Sequence, residues 1–219
     1  MPSYLMRVQL PDRPGSLGSL AVALGSVNAD ILSLDVVDRG ADYAVDDLVV
    51  ELPVGAMPDT LISAAERLAG VRVDSVRPYT DVLDAHRELE LVDHIAAAGG
   101  RDAKLQLLVD EAPRVLRAGW CAVVSHTGQG PRRLAGSPGA PETTVPVLPW
   151  LPLARATALD GAAEWVPPVW QELDTALAAA PLGRPEVAVV LGRAGGPAFR
   201  ASEVARLGYL AGIVATLLG

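Results

Sequence analysis

Within the first 79 residues, alternating apolar runs and runs of helical spacing succeed one another in an order that few folds accommodate. Residues 4–10 read as a strand that enters the turn Pro11-Asp12-Arg13-Pro14-Gly15. Leu17, Leu20, Ala21 and Leu24 then recur at the spacing of a helix with one buried face, capped by Gly15 or Ser16 and ended near Asn28. Residues 31–39 form a strand with Leu32, Leu34 and Val36 on one face, opposite Ser33 and Asp35. A turn at residues 40–43 leads into a second strand, antiparallel to it, in which Leu48, Val50 and Leu52 alternate with Asp47, Val49 and Glu51, so that the strand is half buried. Leu61, Ile62, Ala65 and Leu68 restore helical spacing, and residues 71–73 alternate again before Pro78. Strand, helix, strand, strand, helix, strand is the ferredoxin-like split βαβ order, with two helices on one face of a four-stranded sheet.

The pattern changes after residue 80. Val82, Ala85, Leu89, Val92 and Ala96 predict a polar helix with an apolar seam over residues 81–98, ended by Gly99-Gly100 and serving as a linker. Leu105, Leu108, Val109, Ala112 and Leu116 predict another helix that Pro113 should kink or end. Strands are expected at 120–125, 132–135 and 143–148, the last confined to an edge by Pro146, within a loop-rich stretch. Residues 176–182 and 187–192 flank Gly183-Arg184-Pro185 as a hairpin, and a final helix over 202–218 carries Val204, Leu207, Ala211, Val214 and Leu218 on one face. The expected organisation is α+β, with domains at 1–79 and 101–219 joined by the helix of residues 80–100.

Composition narrows the function classes. Half of the 219 residues are hydrophobic and 20% are charged, enough apolar material for one large domain or two small ones. A net charge of −8 argues against nucleic acid as a partner. Cys121 is the single cysteine, which excludes an intramolecular disulfide or a cysteine zinc site and makes a reducing cytoplasm the expected compartment. No secretory signal is visible near Met1, and the apolar stretch 207–219 is shorter than the ~20 residues a bilayer span needs, so no membrane association is expected. Lys104 is the only lysine among 18 basic residues.

The run Leu10-Pro11-Asp12-Arg13-Pro14-Gly15-Ser16-Leu17-Gly18, followed by Asn28-Ala29-Asp30-Ile31-Leu32-Ser33-Leu34, resembles the ACT domain over about residues 2–79. That resemblance implies a regulatory module that binds a free amino acid where this loop meets a neighbouring ACT domain. The implied ligand residues are Asp12, Arg13, Pro14, Gly15, Ser16, Leu17, Asp30 and Ile31. Some amino-acid-binding members carry amides at the two matching acidic positions and a histidine two residues before the turn, where this chain has Asp12, Asp30 and Leu10. The second half is similar to a GAF domain through its leading helix, the strand 120–125, the hairpin and the run Leu191-Gly192-Arg193-Ala194-Gly195-Gly196-Pro197-Ala198-Phe199. That likeness implies a GAF-like α/β sandwich that senses ligands.

The chemistry of a zwitterion fits the first loop. Free N–H groups around Gly15, Ser16 and Leu17 would receive a carboxylate, aided by the helix dipole. Asp12 and Asp30 would receive the ammonium. A plainer reading leaves Pro14-Gly15 as a tight turn, Asp12 as a cap and Asp30 as a solvated strand end.

Other motifs carry less. His86, Glu90 and His94 share a helical face, but three ligands on one straight helix rarely converge. Ser125 and His126 point to opposite faces of a strand and form no nucleophile and base pair. Residues 192–196 lack the Lys-Ser/Thr of a phosphate loop, and Cys121 reads as inert core. Trp120, Trp150, Trp165 and Trp170, with Phe199, can line an apolar pocket between sheet and loops, with core packing favoured for Trp120. Gly208 and Gly212 allow close approach of a partner subunit or of the sheet.

The expectation is a non-enzymatic regulatory homodimer without cofactor or metal, whose amino-acid signal passes through the linker helix to the GAF-like half. The alternatives are an interaction module that assembles with a partner enzyme, and a small-molecule sensor housed in the GAF-like half.

Overall fold

A computed structural model describes residues 1–80, 86–127, 130–142 and 145–219. The chain divides into two compact units, Met1–Leu83 and Asp84–Gly219.

The first unit runs β1 (Ser3–Pro11), α1 (Ser16–Gly25), β2 (Asp30–Arg39), β3 (Tyr43–Glu51), α2 (Asp59–Glu66) and β4 (Arg72–Tyr79). This is the predicted element order. The strands form one antiparallel sheet in the order β2-β3-β1-β4. Met6, Val8 and Leu10 of β1 and Leu48 and Val50 of β3 pack with Leu20 and Leu24 of α1 and Leu61 and Ala65 of α2. β4 extends through Pro78, which an edge strand tolerates because the missing N–H faces no partner strand.

Two face assignments change. Asp47, expected on an open face, is 1% exposed, and Arg7 stands directly opposite it on β1. The guanidinium grips the carboxylate with two bonds, Nε to Oδ1 at 2.7 Å and Nη2 to Oδ2 at 2.9 Å. β3 is therefore buried along almost its whole length rather than half buried. Leu32, Leu34 and Val36, expected on one face against Ser33 and Asp35, are exposed: β2 is an edge strand whose register shifts between Ile31 and Ser33 and again between Val36 and Asp38.

The second unit contains α3 (Arg87–Ala97), α4 (Arg101–Val115), β5 (Trp120–Thr127), β6 (Gly130–Gly136), β7 (Thr157–Leu159), α5 (Pro168–Glu172), β8 (Ala176–Leu182), β9 (Arg184–Arg193) and α6 (Ala201–Leu217). Its five antiparallel strands lie in the order β6-β5-β9-β8-β7. Strand alternation separates two apolar layers. Cys121, Val123, Ala178, Ala180, Val189 and Leu191 face α3, α4 and α6. Trp120, Ala122, Leu177, Ala179, Ala188 and Val190 face the long connection between β6 and α5.

The expected linker helix is instead part of this second core. Leu91 and Ile95 are its buried residues, while Leu89 is 70% exposed and Ala96 is exposed. Of the expected seam, Val92 packs against this core, Leu89 and Ala96 do not, and Val82 and Ala85 lie outside the described residues; the buried pair Leu91 and Ile95 is also spaced four apart. Pro113 lies in the last turn of α4, which stops two residues later at Val115, as expected of a residue that ends a helix. Residues 145–148 form no strand, and Thr143 and Thr144 lie outside the described residues. The short β7 and α5 were not foreseen: three and five residues are too few to display a period.

Candidate functional site

The residues proposed for an amino acid do not converge within one chain. Asp12 follows the end of β1, where Pro11 pairs with Tyr43, and its N–H donates to Asp42 O at 3.1 Å. Asp30 begins β2 opposite Glu51, which in turn pairs with Ser3 at the start of β1. The two carboxylates thus mark opposite ends of the sheet, separated by roughly 25 Å at ~3.4 Å per residue.

The loop between them and the helix is partly self-satisfied. Arg13, Pro14 and Gly15 are exposed, and Gly15 enters α1 with φ 91°, a conformation that favours glycine. The Ser16 N–H donates to Arg13 O at 3.2 Å, which removes one of the donors an anion would have used. Leu17 is exposed, and Ile31 packs against the apolar core.

Asp46 on β3 is the more unusual carboxylate of this unit. It is 1% exposed and pairs with Val8 in the register of the sheet, and its Oδ1 has no hydrogen-bond partner among the described residues. Burial raises its pKa above the ordinary carboxylate range; Arg39 opposes the rise, and Asp12 and Asp47 add to it.

The second unit holds a formed pocket. It has a volume of about 170 Å³ and lies on the sheet face away from α3, α4 and α6. All four tryptophans line it. Trp120 and Trp170 are in contact at 5.2 Å between ring centroids and Trp150 and Trp165 at 5.9 Å, both pairs tilted by 55°. Ala122, Val124 and Val190 form the floor; Val145 and Leu148 also line the pocket. Trp120 is both core and lining, as its 7% exposure indicates. Phe199 is elsewhere, packed in the layer that faces the helices.

The sequence explains how these rings are placed. Trp120 stands opposite Gly192 in the β5–β9 pair, and a Cβ at Gly192 would come within 2.0 Å of the indole. The absence of a side chain there seats the ring. The connection that carries the other tryptophans is tied down by backbone bonds and by Gln171, whose amide donates to Ala163 O at 3.0 Å and Val166 O at 3.3 Å. Leu153 N–H reaches Pro185 O at 2.7 Å. The indole nitrogens of Trp150 and Trp170 are buried without a hydrogen-bond partner among the described residues.

Charged groups sit at the pocket's edge. Arg133 stands opposite Val124, on the pocket face, and its Nη1 donates to Pro141 O at 2.8 Å. Arg132 and Glu142 also line the pocket. Sequence reasoning located the tryptophans but missed Arg133 and Glu142. Of two adjacent arginines in a short strand, the sequence does not tell which shares the face of Val124 until the bulge between Val123 and Val124 is known.

The remaining candidates have structural roles. Arg193, in the terminal run, is fully buried; it donates to Arg117 O, Pro197 O and Glu203 Oε1 at 3.0, 3.0 and 2.8 Å and lies 4.1 Å over the Phe199 ring. Glu203 also accepts from the Arg200 N–H at 2.9 Å and so caps α6. His94 faces Glu111 of α4 at 3.1 Å. Cys121 is buried, and burial, with a smaller effect of Asp110, pushes its thiol pKa up, away from reactivity. A Cβ on Gly208 would come within 3.0 Å of Ala156, whereas Gly212 meets nothing within 4 Å. Among the described residues no group of histidine, cysteine and acidic side chains is arranged for a metal. None of the described helices is long and apolar enough to cross a membrane.

No protein-family model matches the chain, and no curated protein matches it by sequence. Among solved structures it is similar to the GAF domain of an Acinetobacter phosphoenolpyruvate-protein phosphotransferase, with TM-score 0.49 and 11% identity over 64% of this chain and 94% of that one. The GAF domain of a putative sensor histidine kinase from Pseudomonas syringae pv. tomato gives TM-score 0.46 and 16% identity over 61% and 83%. An unknown protein from Galdieria sulphuraria gives TM-score 0.31 and 23% identity over 44% of this chain and 63% of that one, so the chain spans under two thirds of its length.

Proposed function

We propose that this chain is a non-enzymatic regulatory receptor and that its second unit, GAF-like in layout, binds a small organic molecule in the tryptophan-lined pocket. The observation that carries this reading is the convergence of all four tryptophans on one pocket. Indoles offer flat apolar area at low entropic cost, and two of these retain an unused N–H donor. The volume limits the guest: on this measure a cavity of roughly 150 Å³ holds a benzene-sized molecule. A ligand of one ring fits, and a tetrapyrrole does not.

The first unit supports a different part of the proposal. Its ACT-like order and its exposed edge strand β2, with Leu32, Leu34 and Val36 outward, suit association with a second copy. An amino acid held between Asp12 and Asp30 would require those residues from two chains, because one chain keeps them apart.

The test is a screen of the full-length protein against metabolites of one-ring size, read by tryptophan emission and by thermal shift. Binding in the pocket changes both, and Trp150→Phe weakens the response. A ligand that stabilises the protein while leaving the emission of all four tryptophans unmoved would place the receptor site elsewhere.

A further inference from the structure

The lining of the tryptophan pocket includes Arg133, held at one end, the carboxylate Glu142 and a second guanidinium, Arg132. Arg133 lies on the pocket face opposite Val124 and uses Nη1 to hold Pro141 O, leaving Nε and Nη2 without a partner among the described residues. Glu142 follows Pro141 directly and lines the same pocket. No ion pair joins them, and Glu142 has no hydrogen-bond partner among the described residues. Two opposite charges beside one aromatic cavity, each with free valence, match a ligand that carries both charges on a short stem next to a ring.

Resting on the pocket reading above, we propose that the ligand is an aromatic amino acid of the phenylalanine class. Its ring enters among Trp120, Trp150, Trp165 and Trp170, its carboxylate meets Arg133, and its ammonium meets Glu142. The arginine supplies the planar donor pair that a carboxylate matches best. Its tether to Pro141 O reduces the rotamer freedom lost on binding. A plain aromatic acid would leave Glu142 facing an anion, and an aromatic amine would leave Arg133 facing a cation. The zwitterion leaves neither. Arg101, exposed at the start of α4 and not among the lining residues, serves as the control.

The experiment compares four probes on the full-length protein by calorimetric titration and selective tryptophan excitation: L-phenylalanine, 3-phenylpropionate, phenethylamine and L-alanine. Phenylalanine is expected to bind at least about tenfold more tightly than each of the other three, since every one of them lacks a partner for one group of the site. Glu142→Gln should bring 3-phenylpropionate level with phenylalanine, and Arg133→Gln should do the same for phenethylamine. Arg101→Gln should leave the ranking unchanged. Both partners are at the surface, so the variants are expected to keep the parent melting temperature, which is measured alongside.

Equal binding of phenylalanine and either singly charged analogue overturns the assignment. So does a phenylalanine affinity unmoved by Arg133→Gln and Glu142→Gln together. If none of the four probes binds but another one-ring metabolite changes the tryptophan emission, the pocket remains a receptor site and this ligand class is wrong. If nothing in the screen changes the emission, both readings fall.

Discussion

Gly192 shows how much one missing side chain decides. It permits the Trp120 indole to lie across β9, and that indole is at once a core residue and a wall of the pocket. Gly192→Ala places a methyl group where the ring is and should cost about 1–3 kcal/mol as overpacking. A lowered melting temperature with altered tryptophan emission is the expected result; an unchanged emission would mean that the ring is not seated there. Asp46 poses the opposite problem, a side chain that is present but poorly accommodated. Its folded pKa is raised, so the folded state binds its proton more tightly than the unfolded chain does. The stability this gives is complete below the unfolded value of about 4 and is lost as pH rises through the folded value. Asp46→Asn removes the titration with little change in volume. The variant should be more stable than the parent at neutral pH, and the gain should vanish as pH falls toward 4 in denaturant titrations.

At the scale of elements, α3 tests where the helix after residue 86 belongs. Leu91 and Ile95 are fully buried against α4 and the sheet of the second unit, and Leu89 points to solvent. Leu91→Ala or Ile95→Ala should cost about 2–5 kcal/mol, whereas Leu89→Ala should stay within about 0.5 kcal/mol. The reverse ranking, measured by denaturant melts, would restore the seam on the other stripe. Elements such as β1, α1, β5, the β8–β9 hairpin and α6 were legible because each spans several periods and is bounded by glycine, proline or asparagine. The faces of β2 and β3 were not. A strand's period of two tells which residues share a face, but neighbouring strands decide which face is covered, and the charge of Asp47 is met by Arg7 on the strand opposite it. The site was legible in the same partial way. Four tryptophans in one half signal a pocket, but the residues at its mouth depend on a bulge in the β5–β6 pair that no local pattern announces. Lys104 is a further case: the only lysine reaches from α4 to Leu217 O at 2.7 Å and ends α6, a contact 113 residues away in sequence.

For the whole molecule, the distribution of aromatic residues provides its own probe. Trp120, Trp150, Trp165 and Trp170 all belong to Asp84–Gly219, while Tyr4, Tyr43 and Tyr79 belong to Met1–Leu83. Each unit has its own apolar core, so each can unfold as a separate cooperative transition. Tryptophan emission then reports only the second unit, whereas scanning calorimetry reports both. A ligand in the tryptophan pocket at 100 times its dissociation constant adds about 2.7 kcal/mol to the unit that binds it. For a unit of this size that corresponds to roughly 10 °C. The fluorescence-detected transition should rise by that amount, with the other calorimetric transition unmoved. Leu24→Ala, which opens a cavity beneath α1, should do the converse: lower one calorimetric transition and leave the fluorescence-detected one in place. If a single transition is seen by both probes and both perturbations move it together, the two units fold as one, and stabilisation by ligand no longer locates the site. In that event the emission of single-tryptophan variants, rather than melting, has to identify the ring the ligand touches.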